Sequence, residues 1–563
     1  MTRKELLRLT IPRPAMLAFM AFAIAAFQGA GANLTLFYLY RQDRWLLLVA
    51  ALLLALCIWR LVPRPQPLGG GSRLALGAGA LMAVAAFAGH YAILSGYDLT
   101  RDEQMATFDA AVFARGQLVA PLTGVWRDHA DALNTMFMYP ARENAAWISA
   151  YLPLNAALRS FFGLLGDPAL TGPVMVLAGA MALWGCARRI WPGNRETAIV
   201  ALLLYLGSGQ ILFNGMTAYA MPAHLALNLI WLWLFLRRTM WSDAAALTIG
   251  FVAVGLHQPI MHPLFVAPIL FLLVLERDWR RAALYFIGYA AIGAFWAWWP
   301  NAIYALVEGN ALAPKNEGVD YISRLVATIA DGDGMRIANM VANILRFFSW
   351  QHLLLLPLLP FGIAVVRRDR LAGALVGGIL LTVAVMLVIL PYQGHGFGYR
   401  YLHGLIGSFI LLAAYGWASL GEAKAIWRGL LLRTTVAGLI VVLPLQAWMA
   451  HSFYVAPAQV SKRIAGSAAD YVVVGGADAP FAADLVVNPP FLDKRPIRLL
   501  REAIDPELVS ALCVSRPRVA LVEPNELASI LAYYRMSTPV ADAPDRALAG
   551  ELRAAGCTVV PIG

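Results

Sequence analysis

The sequence predicts an α-helical protein that crosses a membrane many times and carries a small α/β domain at its C-terminal end. The composition is the first reason, because 60% of the 563 residues are hydrophobic, only 14% are charged, and the mean hydropathy is +0.65. A soluble chain of this size cannot bury so much apolar surface. A series of apolar runs is the second reason, since about 20 apolar residues span a bilayer. The third is a tail in which β-rich and helical stretches alternate.

The apolar runs predict about thirteen spans. They lie at residues 14–39, 45–62, 74–95, 171–190, 197–213, 221–237, 243–257, 262–276, 282–302, 343–366, 371–391, 400–420 and 431–449. The first contains Gly29, Gly31 and Asn33, which favour a break or a tilt. The spans at 243–257 and 262–276 are short, so a re-entrant pair is an alternative.

The basic residues of the short loops predict the orientation. With the N-terminus inside, the inner loops hold roughly twenty Arg and Lys and the short outer loops three, as the positive-inside rule requires. Residues 97–170, 304–342 and 452–563 then share the outer face. This predicts a multi-pass protein of the bacterial inner membrane, with a cytoplasmic N-terminus and a periplasmic C-terminal domain. The formal charge of +11 therefore needs no nucleic-acid partner.

The tail predicts the α/β domain. Strand-like runs occupy residues 471–474, 485–487, 519–522 and 558–560, and helix-like stretches occupy residues 506–512, 525–534 and 545–555. Strands that alternate with helices are typical of a small α/β domain.

The polar segment after the third span contains a helix start with two adjacent carboxylates. Thr100-Arg101-Asp102-Glu103 matches a capping box with Thr100 as the N-cap, and Gly116 is suited to follow the helix end. Asp102 and Glu103 at a membrane surface suit general-base or metal chemistry on a lipid-linked substrate. The alternative is that Glu103 only caps and Asp102 only favours the positive helix end. Asp109, on the same face as Asp102, is a weaker candidate.

Two histidines lie at an outer span end, in Gly255-Leu256-His257-Gln258-Pro259-Ile260-Met261-His262-Pro263. Ionisable groups at membrane depth are usually functional or paired. His257 and His262 are therefore candidates to bind phosphate oxygens or a divalent metal, although their spacing matches no standard metal motif. A satisfied polar contact in the core is the alternative for either residue.

A glycine-rich outer segment at residues 391–403 contains Arg400 as its one cation. Glycines let backbone amides approach a ligand, and an arginine fork binds phosphate through two hydrogen bonds. Arg400 and its neighbour Tyr401 are candidates for phosphate binding, with an arginine that only reaches toward the interface as the alternative. Lys315 and Arg324 are further phosphate candidates.

Four segments, taken in chain order, resemble motifs of the GT-C superfamily of membrane glycosyltransferases, in the branch of the protein O-mannosyltransferases and the lipid A aminoarabinose transferases. They are similar to its acidic, "YPP", "HP" and late "RY" motifs. The segments are Arg101-Asp102-Glu103-Gln104-Met105-Ala106, Tyr151-Leu152-Pro153-Leu154, His257-Gln258-Pro259 with Pro263-Leu264-Phe265, and Gly398-Tyr399-Arg400-Tyr401.

The sequence departs from that pattern in two places, and the first departure sets the predicted domain limits. The acidic loop follows the third span here, whereas in the family it usually follows the first. Residues 1–73 are therefore predicted to be additional N-terminal helices, residues 74–451 the GT-C-like module, and residues 452–563 the α/β domain. Leu152 stands where the family more often has proline.

The resemblance implies a sugar donor linked to polyprenyl phosphate and an acceptor that is lipid-linked, a glycan or a protein. Asp102 would be the general base of an inverting displacement, with Glu103 beside it. The residues implied in binding the donor phosphate are Arg400, His257, His262, Lys315 and Tyr401. The cofactor is unknown, and the participation of a divalent metal stays open.

Two other classes of function remain. A transporter or lipid flippase would also have many spans and buried ionisable groups, but its charges are expected at mid-span and its halves often repeat. Here the charges concentrate in the outer segments, and no inverted repeat is visible. An assembly or scaffold protein that acts through its tail is the third possibility.

The four cysteines divide into two pairs by location. Cys57 and Cys186 lie in predicted spans and are small apolar residues there. Cys513 and Cys557 each precede a predicted strand of the tail, in a segment predicted to face an oxidising compartment. If those strands are neighbours, the two residues come close enough for a disulfide. Two unpaired cysteines are the alternative.

Overall fold

Helices form most of the chain in the computed structural model, which describes residues 2–29, 33–140, 146–309, 312–314, 334–537 and 543–562. The α-helices are Arg3–Thr10, Pro12–Gln28, Leu34–Tyr38, Arg44–Ile58, Ser72–Ala92, Arg101–Phe113, Leu154–Leu164, Thr171–Ile190, Arg195–Leu206, Gly209–Asn214, Met221–Phe235, Met240–Val254, Met261–Leu275, Trp279–Glu308, Arg336–Ser349, Leu355–Val365, Arg370–Ile389, Ile406–Ser419, Lys424–Ala437, Leu443–Gly466, Pro506–Cys513, Ala528–Tyr534 and Ala543–Ala554.

The chain folds into two compact units. The helical unit contains Met1–Gly89, Ala169–Ala297 and Asp320–Met449. The mixed unit contains His90–Pro168, Trp298–Val319 and Ala450–Gly563. The segments of the mixed unit lie close in sequence to the three segments predicted on the outer face.

Seven helical stretches within the described residues are long and apolar enough to cross a membrane. They are Lys4–Gln28, Ser72–Ala92, Pro168–Ile190, Trp279–Glu308, Arg370–Ile389, Arg400–Ser419 and Gly421–Gly466. Four shorter apolar helices are Met221–Phe235, Met240–Val254, Met261–Leu275 and Leu355–Val365. A multi-pass membrane protein follows from these helices, while the number of thirteen spans stays a prediction.

Three of the predicted spans are interrupted. The span predicted at 197–213 consists of the helices Arg195–Leu206 and Gly209–Asn214. The span predicted at 14–39 ends as a helix at Gln28, where Gly29 adopts a φ of +69°, and a new helix starts at Leu34 with Asn33 as its N-cap. The span predicted at 343–366 consists of the helices Arg336–Ser349 and Leu355–Val365. Gly29 and Asn33 favoured the break in the first span. Apolar composition gave no sign of the other two breaks, because it does not distinguish one helix from two that meet at a turn.

Small residues bring the helices of the helical unit into close contact. A side chain at Gly362 would place its Cβ 1.9 Å from the carbonyl oxygen of Leu412, so the helices Leu355–Val365 and Ile406–Ser419 approach backbone to backbone. Close packing of this kind is how helices associate where lipid offers no hydrophobic driving force. Large fully buried aromatic side chains, among them Trp231 and Trp417, fill the spaces between the helices.

The mixed unit contains two sheets. The first is antiparallel, with the strands Ala120–Pro121, Ala146–Ser149 and Met138–Tyr139 in that spatial order. The second is parallel, with the strands Ile497–Leu500, Tyr471–Val474, Arg518–Leu521 and Thr558–Val560 in that spatial order. The predicted α/β architecture of the tail is therefore confirmed.

Two details of the tail differ from the sequence prediction. Residues 485–487 form no strand. Leu485 is instead the last residue of a 3-10 helix, Ala482–Leu485, and its apolar side chain is buried there. The strand Ile497–Leu500 was not predicted. In this strand, Ile497 and Leu499 are buried and alternate with more exposed residues. The pattern is only four residues long and follows a charged run that is typical of a loop. The helix Leu443–Gly466 also extends well past residue 452.

Cys513 and Cys557 are joined by a disulfide in the structure, with their Cα atoms 4.9 Å apart. Cys513 ends the helix Pro506–Cys513, and Cys557 precedes the strand Thr558–Val560. That strand pairs directly with Arg518–Leu521. The neighbouring strands on which the sequence prediction depended are therefore present.

Candidate functional site

The candidate residues fall into two groups, one in each unit. The acidic group surrounds Asp102 at the start of the helix Arg101–Phe113 in the mixed unit. The basic pocket surrounds Arg400 in the helical unit. Each group is built from residues that are distant in sequence.

The predicted capping box at the start of Arg101–Phe113 is confirmed. The backbone N–H of Glu103 donates to Thr100 Oγ1, and Glu103 Oε2 accepts from the backbone N–H of Thr100 at 3.3 Å. The Glu103 side chain is fully buried and also accepts a hydrogen bond from the Tyr454 hydroxyl at 3.1 Å. Glu103 therefore fastens the helix start to the helix Leu443–Gly466.

Asp102 has a different environment. It is half-buried, and its Oδ1 accepts a hydrogen bond from the Tyr151 hydroxyl at 2.5 Å. The Tyr151 ring packs against Phe137, with centroids 5.3 Å apart, which holds the phenol in place. Of the two adjacent carboxylates, Asp102 is the more accessible and has an oriented oxygen. The sequence prediction quoted Tyr151 in a motif but gave it no role.

Two further polar residues of the helix Arg101–Phe113 are buried. The Arg101 guanidinium donates to the carbonyl oxygens of Asn134 and Met136, and burial lowers its pKa to about 10. Asp109, one of the weaker candidates, is buried against Ser149, and that burial raises its pKa to about 7. Desolvation penalises the charged form of both groups.

Asp484, which lies in the C-terminal tail, also belongs to the acidic group. It was not predicted from the sequence. Its backbone carbonyl accepts from the Gln104 side chain at 2.8 Å, and the preceding carbonyl accepts from Asn134 at 2.8 Å. Burial, opposed by Arg101 and assisted by the charge of Asp102, raises the pKa of Asp484 to about 7. No local pattern marks Asp484, because the contact joins positions 380 residues apart.

Arg400 occupies a segment whose shape depends on glycine. Gly396 adopts a φ of +135°, and a Cβ there would lie 2.5 Å from Arg400 Cδ. The arginine side chain therefore lies directly across the backbone of Gly396. The guanidinium stacks over the Tyr219 ring at 4.6 Å from its centroid, and Arg400 is 7% exposed. The group that approaches Gly396 is thus the Arg400 side chain, and the approach of backbone amides to a ligand stays a prediction.

The basic pocket is a cavity in the helical unit. Its walls include Arg400, Tyr401, His257, Gln258 and Met261. A guanidinium, an imidazole and a phenol thus line one space. The rest of the lining mixes polar and apolar residues, which are His224, Asn228, Thr382, Met221, Gly404 and Leu405. Such a mixture suits the phosphate group of an otherwise apolar ligand.

His262 does not belong to that wall. It is fully buried, and its ring nitrogens contact Asn228 Oδ1 at 2.7 Å and the Tyr289 hydroxyl at 2.8 Å. Both polar atoms of the ring are thus used inside the helix packing. The structure therefore separates the two histidines, with His257 at the cavity and His262 in the core.

Three further expectations concern phosphate and metal binding. Lys315 and Arg324 lie outside the described residues. Within the part of the chain that the structure describes, no group of three or more His, Cys, Asp and Glu side chains is arranged to hold a metal ion.

No family model and no curated protein sequence matches the chain. Similar solved structures include two of ArnT and one of an oligosaccharyltransferase. ArnT from Cupriavidus metallidurans bound to undecaprenyl phosphate matches at 13% identity with a TM-score of 0.46, over 75% of this chain and 86% of ArnT. Its apo form matches at 12% identity with a TM-score of 0.45, over 75% of this chain and 85% of ArnT.

A third solved structure is an archaeal enzyme. The oligosaccharyltransferase of Archaeoglobus fulgidus, in complex with Zn and sulfate, matches at 14% identity with a TM-score of 0.41. The match covers 69% of this chain and 55% of that chain.

Proposed function

We propose that the protein is a membrane glycosyltransferase that moves a sugar from a polyprenyl-phosphate donor to an acceptor at the outer face of the bacterial inner membrane. The observation that carries the proposal is the basic pocket, where the buried Arg400 lines a cavity with His257 and Tyr401, between further polar and apolar side chains. A guanidinium binds phosphate through two directed hydrogen bonds. A pocket of this composition within a unit of apolar helices suits an anionic group on a lipid.

The reaction is a displacement at the anomeric carbon of the sugar. The acceptor oxygen forms a bond to that carbon while the bond to the phosphate oxygen breaks, and the phosphate departs with the bonding electrons. Arg400 stabilises the charge that develops on the departing phosphate, since a preorganised cation acts most strongly away from water. The displacement needs no general acid, because the polyprenyl phosphate is a good leaving group.

Asp102 takes the proton of the acceptor hydroxyl. Its accessible carboxylate and the hydrogen bond from Tyr151 support this role, because a general base must be oriented as well as ionised. Glu103 belongs to the helix start, where its oxygens accept from Thr100 and Tyr454. His262 supports the pocket from the core through Asn228.

The orientation of the protein is part of the proposal. The concentration of Arg and Lys in one set of short loops supports a cytoplasmic N-terminus and a periplasmic mixed unit. The acceptor is then a molecule of the cell envelope, whether lipid-linked, a glycan or a protein.

A turnover assay in nanodiscs tests the function. Wild-type protein is incubated with undecaprenyl-phosphate-linked sugars and a membrane extract as the source of acceptor, and released undecaprenyl phosphate is quantified by mass spectrometry. We expect release that depends on the extract and is lost in Asp102→Asn. A protein that moves the intact lipid between leaflets without cleaving it would instead be a flippase.

A further inference from the structure

The short N-terminal helix Leu34–Tyr38 contacts the glycine-rich segment that carries Arg400, hereafter the Arg400 loop (residues 391–400). Thr35 is fully buried. Its hydroxyl donates to the carbonyl oxygen of Gln393 at 3.0 Å and accepts the backbone N–H of the same residue at 3.0 Å. One threonine side chain therefore satisfies both backbone groups of Gln393.

Gln393 extends this connection to Arg400. Its Oε1 accepts the backbone N–H of Arg400 at 2.7 Å, and its Nε2 donates to the carbonyl oxygen of Gly398 at 2.9 Å. Gln393 is itself fully buried. The backbone of Arg400 is thus linked to Thr35 through a single residue.

Two further contacts hold the same loop. The Tyr38 hydroxyl hydrogen-bonds His395 Nδ1 at 2.8 Å. Arg346 donates to the carbonyl oxygen of Gly396 at 3.0 Å and to Asp43 Oδ2 at 2.9 Å. Arg346 and Asp43 are fully buried, and a buried ion pair of this kind is better understood as fixing a geometry than as adding stability.

The sequence of the loop explains why such contacts matter. Three glycines, Gly394, Gly396 and Gly398, precede Arg400, and glycine has the greatest backbone freedom. A bidentate contact to phosphate requires a guanidinium held in one orientation. The loop therefore combines a backbone that bends freely with a side chain that needs a fixed position.

We propose that residues 33–43, in the N-terminal addition to the GT-C-like module, are a positioning element for the Arg400 loop, with Thr35 as the main positioning residue. The inference rests on the proposed function, in which Arg400 binds the phosphate of the donor. It gives the additional N-terminal helices a role in donor binding, although none of their residues needs to contact the donor.

Hydrogen exchange tests the structural half of this proposal. Thr35→Val keeps the shape of the side chain and removes the hydroxyl, while Thr35→Ser keeps the hydroxyl. Thr434→Val is the matched control, because the Thr434 hydroxyl is also buried but bonds carbonyls of its own helix. We expect the amides of Gln393 and Arg400 to exchange faster in Thr35→Val only.

Affinity for undecaprenyl phosphate in nanodiscs tests the functional half. Thr35→Val is expected to weaken it about tenfold, the usual consequence of leaving a buried hydrogen-bonding group without a partner. Thr35→Ser and Thr434→Val should bind like wild type. Tyr38→Phe removes an independent contact to the loop and is also expected to weaken the affinity. It is the variant to use if Thr35→Val fails to fold.

The outcomes separate this proposal from the proposed function. Amide exchange at wild-type rates in both Thr35→Val and Tyr38→Phe would overturn it. Faster exchange in the Arg400 loop of Thr35→Val, together with wild-type affinity for undecaprenyl phosphate, would also overturn it if Arg400→Ala binds that lipid weakly. Unchanged affinity in Arg400→Ala itself would contradict the proposed donor site. In that case the exchange rates still decide whether residues 33–43 hold the loop, and faster exchange supports that part.

Discussion

The Tyr151 hydroxyl donates a hydrogen bond to Asp102 Oδ1 across 2.5 Å, although 49 positions separate the two residues in the sequence. The contact joins the acidic motif at the helix start to the Tyr151-Leu152-Pro153-Leu154 segment. It orients the half-buried carboxylate of Asp102, whereas the adjacent Glu103 carboxylate is fully buried and is used by Thr100 and Tyr454. Asp102 is therefore the carboxylate on which the proposed chemistry depends.

Asp102→Asn should reduce turnover by about 10² to 10⁴-fold, which is the usual contribution of general-base catalysis. Asparagine keeps the size of the side chain and removes the basic oxygen, so affinity for undecaprenyl phosphate should be unchanged. Glu103→Gln is the control, since glutamine also fits a capping box. Normal turnover in Asp102→Asn would leave Asp102 with only a helix-start role.

Tyr151→Phe should reduce turnover about tenfold without a comparable loss of thermal stability. The change removes one hydrogen bond to a carboxylate, and hydrogen bonds to charged groups are among the stronger ones. Tyr304→Phe is the matched control, because the Tyr304 hydroxyl donates to the backbone carbonyl oxygen of Pro140. Equal turnover in the two variants would remove Tyr151 from the proposed mechanism.

Asp109→Asn should stabilise the protein increasingly as pH rises. Burial raises the pKa of Asp109 from 3.8 to about 7, so between these values the folded state holds a proton that the unfolded state has lost. Wild-type stability therefore falls as pH rises through that window and levels off above about pH 7. Thermal unfolding at pH 4 to 8 measures it.

The difference in unfolding temperature between Asp109→Asn and wild type isolates this residue from Asp484, whose pKa is also raised by burial. We expect a small difference near pH 4 and the largest at pH 8. The reverse trend, or a constant difference, would show that Asp109 is not buried as a neutral acid.

Cys513 and Cys557 should be recovered as a disulfide from protein purified out of the membrane. Their bridge spans 44 positions, and cross-linking a loop of that length contributes a few kcal/mol, about 3 to 4 by the loop-entropy estimate. Mass spectrometry of non-reduced peptides measures it, with Cys57 and Cys186 as internal free-thiol controls. Two free tail thiols would also weaken the proposed periplasmic location.

Local patterns in the sequence predicted local structure well. The capping box of Thr100 and Glu103 was predictable because both members lie within four residues and obey a known spacing. The parallel strands at Tyr471–Val474 and Thr558–Val560 were predictable from their β-branched runs. The strand Ile497–Leu500 was not, because its four residues follow a charged segment.

Long-range contacts could not be predicted in the same way. Asp484 approaches the acidic group and Gln393 holds Arg400, yet neither has a motif of its own. Asp43 carried the one usable signal, since a carboxylate between apolar runs needs a buried partner. The sequence did not identify that partner as Arg346, more than 300 positions away.

The affinity of the protein for undecaprenyl phosphate in nanodiscs tests the central claim most directly, which is that Arg400 binds the phosphate of a lipid donor. We predict binding to wild type, about tenfold weaker binding to Arg400→Lys, because a point charge cannot replace a bidentate fork, and still weaker binding to Arg400→Ala. Undecaprenol, which lacks the phosphate, should not distinguish the three proteins. Equal affinity of wild type and Arg400→Ala for undecaprenyl phosphate would contradict the account.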